Sequence, residues 1–348
     1  MMYEYHTSLT TPKYYPAILR KNVFCFDDMD TTYAIRQGVT QEELWGDVHP
    51  FVVIDDEEWP MPTRLELEWV AVAEFKYYSL KTTLNDKTME ELWKQKDKEE
   101  SDVYTHIAVG IAPYGQVAVW MHGLRKQTLI GWFKGTMEPV EPILPLGFTV
   151  QSLCTKCMTE TQPEVKTNLE EHGLPNPHLY DRLMQQYTYR FVPKLRWWNY
   201  EAEEWWEYDE EMEGDEMPTV DFVEVKCHDG TFDRLRDGSL LNYHEAGKPS
   251  RVGVGWHVGK REYSAYFFFS HDELAQVFRT CYGAHPETQV DFLLMIDPES
   301  DKYEPALFRY GMNEPLPIGP DACQVLAFRN KFECYRSPNY TQPKGAWR

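Results

Sequence analysis

The sequence predicts an α+β fold, mostly antiparallel β-sheet with a few peripheral helices, arranged as two lobes. Three observations predict it. Aromatic residues make up 15% of the 348-residue chain, including 12 Trp and 22 Tyr, and aromatics fit pleated surfaces. Alternating apolar runs recur with Gly-containing turns between them, the pattern of antiparallel connections. Too few helical patterns alternate with these runs for a doubly wound sheet.

Taken in order, residues 1–60 read as irregular, with strand-like runs at 23–26 and 51–54. A short helix opens at Thr40, with Glu43 at the capping-box spacing. Residues 64–80, RLELEWVAVAEFKYYSL, read as one strand. Thr88-Met89-Glu90-Glu91 opens a mostly polar helix with the same box. THIAVGIAP, QVAVWMHG and QTLIGWFKG, spread over 105–135 and split by Gly-containing turns, form a three-strand meander. Residues 138–146 are Pro-rich loop. Asn176 and Pro177 start a helix over 176–191, with Leu179, Leu183 and Tyr187 on one face.

In the second half, DFVEVK is a strand, and Asp229-Gly230 and Asp237-Gly238 are turns. RVGVGWHV pairs with REYSAYFFF across Gly259-Lys260. Ser270 and Glu273 box the start of a helix whose apolar face is Leu274, Val277, Phe278 and Cys281, and Gly283 stops it. VDFLLMID, PALFRYG and QVLAFRNKF follow as strands. Strand–turn–strand units beside a helix occur in both halves, so THIAVGIAP…GQVAVWMHG and RVGVGWHVGKREYSAYFFF are candidates for diverged copies of one unit.

Composition excludes several classes. A chain 42% hydrophobic and this long can bury a core, which argues against wholesale disorder. No run approaches the ~18 apolar residues of a membrane span. Fifty-six acids against 35 Lys+Arg give a formal charge of −21, a poor balance for gripping nucleic-acid phosphates. Seven scattered cysteines do not read as a secreted disulfide framework, and the N-terminus lacks the apolar stretch of a signal peptide. The expectation is a cytoplasmic protein with reduced thiols.

Motifs for chemistry are weak. Cys154-Thr155-Lys156-Cys157 has no second CxxC, and His172 and His178 would both have to complete a four-ligand zinc site, so ordinary loop or core cysteines are the better reading. Gly253 to Arg261 departs from a phosphate loop at Val254 and Arg261, and its glycines relieve hairpin crowding instead. No HExxH or GxSxG is present. Asp229, Asp233 and Asp237 near Glu245 suit turns better than a cation, and His271 at a helix start reads as surface. No cofactor or metal is expected.

The sequence points most clearly to WWNYEAEEWWEYDEE. Residues 201–216 hold ten acids and no Lys or Arg, so this one stretch carries −10 of the −21. Ten acids resist burial, which makes the stretch a linker (201–217) between an N-terminal lobe (1–200) and a C-terminal lobe (218–348). Trp198, Trp205 and Trp206 would anchor a partner, and Glu203, Glu204, Glu207, Asp209, Glu210 and Glu211 would steer a basic one. The expected function is a non-enzymatic protein-binding module with a basic protein partner. The alternative is a small-molecule or carbohydrate-binding protein or hydrolase with an inter-lobe cleft, using Trp120, Trp132 or Trp256 to stack a ring and His257 or His271 as acid or base.

The phrases GTFDRLRDGSLLNYHEAGKPSRVGVGW, KREYSAYFFF and FRNKFECYRSPNYTQPKGAW, with THIAVGIAPYGQVAVWMHG in the first half, resemble the Bacteroidetes branch of the domain of unknown function 2931 family. The resemblance implies a two-part bacterial protein of mostly β structure. It carries over no active-site residue. Many relatives are lipoproteins, whereas this chain shows no lipobox. Genes of the family also lie near bacterial antagonism and type VI secretion loci, which implies an immunity-type role neutralising a toxin.

Overall fold

The computed structural model describes residues 2–27, 29–35, 39–42, 45–47, 58–96, 103–139, 144, 147–199, 201–206, 217–297, 302–328 and 334–336. The chain divides into two compact units, the first ending at Arg182 and the second beginning at Leu183.

The first unit is a sandwich of two sheets. In one, Gln116–His122 lies between Lys126–Lys134 and His106–Ala112, both antiparallel to it, and His6–Pro12 then adds parallel to His106–Ala112. In the other, Lys76–Thr83, Arg64–Ala71, Ala17–Phe26 and Met29–Ala34 pair antiparallel in that order. The strand period of two puts Ile107, Val109 and Ile111, Val117, Val119 and Met121 on the inner face of the first sheet. Leu65, Leu67 and Trp69 meet them from the second. Each such fully buried side chain contributes roughly 1.5–3 kcal/mol of transfer free energy.

The second unit is built the same way. Thr219–Cys227, Pro249–Val258, Arg261–Phe269 and Cys323–Phe328 pair antiparallel. Tyr187–Leu195 lies parallel to Val290–Ile296, which pairs antiparallel with Tyr303–Arg309. Helix His271–Tyr282 adds Leu274, Phe278 and Cys281 to a core that includes Phe191, Phe267 and Phe292.

Most strands of the first unit recur in the second, in chain order and in matching register; Val39–Glu42 has no described counterpart. Tyr3 faces Trp59 and Glu4 faces Glu58; correspondingly, Tyr187 faces Ala246 and Thr188 faces Glu245. The Tyr5 hydroxyl donates to the Pro60 carbonyl at 3.0 Å, and the Tyr189 hydroxyl to the Gly247 carbonyl at 2.6 Å. EWPMPTRLELEW (58–69) aligns without a gap on EAGKPSRVGVGW (245–256). Its last residue stacks on its cross-strand partner in both units, Trp69 on Tyr78 and Trp256 on Tyr263. A helix (Asp86–Trp93, His271–Tyr282) then leads to the strand of the parallel pair (His106–Ala112, Val290–Ile296). The two segments that the sequence offered as diverged copies do not correspond to each other. THIAVGIAP corresponds to VDFLLMID, and RVGVGWHV corresponds to RLELEW.

Several local expectations are corrected. Residues 64–80 are a hairpin turning at Val72–Glu74, with Phe75 left-handed at φ 55, a turn without the Gly or Asn that would announce it. Val39–Glu42 is a strand parallel to His6–Pro12, so no helix starts at Thr40. The helix expected over 176–191 is only Leu179–Leu183, after which Tyr187–Leu195 is a strand held by Val290–Ile296 in the second unit. Asn85, rather than Thr88, caps Asp86–Trp93, its side chain accepting from the Thr88 N–H at 3.2 Å. Helices Val150–Lys156 and Pro163–His172 carried no sequence expectation. Residues 51–54 lie outside the described residues.

Candidate functional site

The acidic, Trp-rich stretch is in part a β-hairpin. Trp197–Asn199 pairs antiparallel with Glu204–Trp206, setting Trp197 opposite Trp206, Trp198 opposite Trp205 and Asn199 opposite Glu204. The turn Glu201-Ala202-Glu203 is exposed, and Glu203 takes a left-handed backbone at φ 55. Of the nine expected partner-binding residues, Trp198, Glu203, Glu204, Trp205 and Trp206 belong to this one element. Glu207, Asp209, Glu210 and Glu211 lie outside the described residues.

The other sequence candidates separate. Trp120 and Trp256 are core residues, so neither offers a face to a sugar or base. His257 is half-exposed, its Nδ1 2.7 Å from an Asp221 carboxylate oxygen. His271 is buried rather than at the surface, its ring 5.0 Å from that of the buried His228. Burial, then the charges of His271 and Lys248, push His228 well below the usual imidazole range, so it stays neutral. Asp229 accepts from the Thr231 N–H at 2.9 Å and the Thr231 hydroxyl at 2.7 Å, an Asx turn. Cys154 and Cys157 sit on successive helical turns. Burial and the Glu164 charge push the Cys157 thiol up, away from a reactive thiolate. A Cβ on Gly253 would lie 2.9 Å from Tyr266 across the hairpin, and one on Gly255 2.3 Å from Phe222 on the neighbouring strand Thr219–Cys227. Among the described residues no set of three His, Cys, Asp or Glu is arranged to hold a metal ion, and no helix is long and apolar enough to cross a membrane.

One constellation was invisible in the sequence, where its first member lies a hundred residues before the other two. His6, His106 and His122 face one another across three adjacent strands, in register. Their rings are 5.0 Å (His6–His106) and 5.8 Å (His106–His122) apart. His122 Nδ1 donates to the Gln127 amide oxygen at 2.6 Å, which fixes its tautomer, and the Gln127 amide donates to the Gly46 carbonyl at 2.7 Å. Burial, then the charges of His122 and His6, push His106 down to about 4, so near neutral pH the centre of the row is uncharged. The second unit places Arg190 opposite Asp291 at the register held here by His6 and His106, and joins them by hydrogen bonds of 2.7 and 3.2 Å. Burial pushes the Asp291 carboxyl up, but hydrogen bonds from Arg190 and Tyr243 outweigh it and hold the group below the usual range. The same pair of positions is thus an Arg–Asp ion pair in one unit and a histidine pair in the other.

A family model described as a protein of unknown function (DUF2931) matches residues 2–176, a stretch inside the first unit that includes THIAVGIAPYGQVAVWMHG. The phrases at 221–348 lie beyond the matched stretch. No curated protein and no solved structure matches the chain. With half of its length under that model, and the other half repeating the topology of the matched part, the chain belongs to the DUF2931 family.

Proposed function

We propose that the chain is a non-enzymatic protein-binding module that captures a basic protein through the acidic hairpin, in the manner of a cytoplasmic immunity protein neutralising a toxin. The observation that carries this reading is the register of Trp197–Asn199 on Glu204–Trp206, which gathers four tryptophans on one short hairpin beneath an exposed acidic turn. Paired strands hold backbone conformation before binding, so less ordering entropy opposes association than in a free linker. Aromatic anchors supply affinity at about 2 kcal/mol or more each where they become buried. The ten acids of 201–216 raise the encounter rate with a cationic surface.

The test is capture by the full chain from cells that carry its gene, beside a variant with Glu203→Lys, Glu204→Lys, Glu210→Lys and Glu211→Lys. A basic protein recovered by the parent and lost by the variant supports the reading. Equal recovery by both removes the hairpin from the mechanism.

A further inference from the structure

Because the two units share most of their strands, most positions in one have a counterpart in the other, and one place is filled in the first and hollow in the second. In the first unit Trp120 stands opposite Ala108 on neighbouring strands. The matching register in the second sets Ala306 opposite Leu293. Trp120 is fully buried and meets Trp45 edge-on at 5.0 Å, and Trp45 meets Trp132 at 4.8 Å. Gly110 lies directly beneath them: a Cβ there would be 2.5 Å from Trp120 and 2.9 Å from Trp45.

In the second unit Met295 takes the place of Gly110 and Ala306 that of Trp120. The nine-residue strand that delivers Trp132, Lys126–Lys134, is reduced to Leu316–Pro317. The position is occupied by a cavity of about 650 Å³ whose lining includes Leu293, Met295, Tyr303, Ala306, Ile318 and Val325. This volume lies within the roughly 300–1,000 Å³ of ligand pockets. The lining forgoes the dispersion contacts that the indoles supply in the first unit, and a ligand of the same shape restores them. Among the described lining residues the charged ones are Lys302, whose Nζ is 2.7 Å from a Glu304 carboxylate oxygen, and the exposed Glu314, a balance of one negative charge.

We infer that this cavity binds a small aromatic molecule of neutral or positive charge, an indole-sized ring seated where the first unit packs its own tryptophans. The inference rests on the comparison of the two units and does not depend on the acidic hairpin.

The full chain is titrated with 5-fluoroindole and 5-fluorotryptamine and followed by fluorine NMR. Saturable one-site binding with Kd below about 1 mM is expected. Ala306→Trp, which rebuilds the first unit's filling, weakens it at least about tenfold, a difference of about 1.4 kcal/mol, without lowering the melting temperature. If Ala306→Trp fails to fold, Met295→Trp, at a half-buried position, fills the same space and is expected to do the same. The anionic 5-fluoroindole-3-acetate binds more weakly than the tryptamine. Absence of saturation, or undiminished binding in the folded filled variant, overturns the site. Tighter binding of the anion overturns the charge assignment.

Discussion

Acidification tests the histidine row quantitatively. His106 is 8% exposed, with its Nδ1 2.8 Å from the Thr105 hydroxyl and the rings of His6 and His122 on either side. Burial and the neighbouring imidazoles push its folded pKa down to about 4, below the ordinary imidazole value of 6.5. Between these values the unfolded chain binds the proton and the folded chain does not, so stability present above about pH 6.5 is lost as pH falls toward about 4. Integrating from about pH 7.5 to about pH 5 gives a loss of about 2 kcal/mol from this group alone. Urea unfolding of the parent and of His106→Gln at both pH values isolates it, because the remaining carboxylates and histidines titrate in both proteins. The parent is expected to lose about 2 kcal/mol more than His106→Gln on acidification. Equal losses would refute the reasoning, and a larger loss in the variant would reverse its sign.

Three further predictions concern packing. Gly255→Ala drives a methyl into the Phe222 ring, which Arg234 covers from 3.8 Å, and is expected to cost about 1–3 kcal/mol in calorimetry; an unchanged melting temperature would contradict the crowding. Asn85→Ala removes the cap of Asp86–Trp93 and should cost about 1 kcal/mol in urea unfolding. Phe278→Ala empties the centre of an aromatic group formed with Tyr187, Tyr189, Tyr282 and Phe292, and a loss of about 3–5 kcal/mol is expected. A loss below about 1 kcal/mol would mean that the second core tolerates the gap.

Much of the architecture was legible because strand periodicity is a local signal. The meander over 106–134, the hairpin across Gly259-Lys260 and the helix His271–Tyr282 stand where alternation, glycine and the capping pattern put them. The hairpin at Val72–Glu74 was not legible, since Phe75 adopts a left-handed conformation usually left to glycine. Strand Tyr187–Leu195 was lost to a helical reading because Leu179, Leu183 and Tyr187 repeat at helical spacing while the partner strand lies a hundred residues on. The same distance hid the histidine row: register between remote strands, which no local pattern records, brings His6 to His106. The acidic stretch was legible as a charge pattern, whereas the pairing of Trp197–Asn199 with Glu204–Trp206 was not, because its tryptophans sit among carboxylates with no alternation to announce a strand.

The repeated topology holds unlike side chains at matched positions. At matched positions the units exchange a histidine pair for an Arg–Asp pair and an indole cluster for a cavity, while the Trp–Tyr stack and the Tyr-to-carbonyl hydrogen bond stay in both. The shared features hold the sandwich together, which leaves the exchanged ones free to differ.

The most direct test of the proposed function is the association rate of the captured basic protein with the full chain, measured by stopped flow across a salt series. For the variant carrying Glu203→Lys, Glu204→Lys, Glu210→Lys and Glu211→Lys, the proposal predicts a rate at low salt reduced about tenfold or more and a shallower dependence on ionic strength. A variant that associates as fast as the parent, with the same salt dependence, would contradict it.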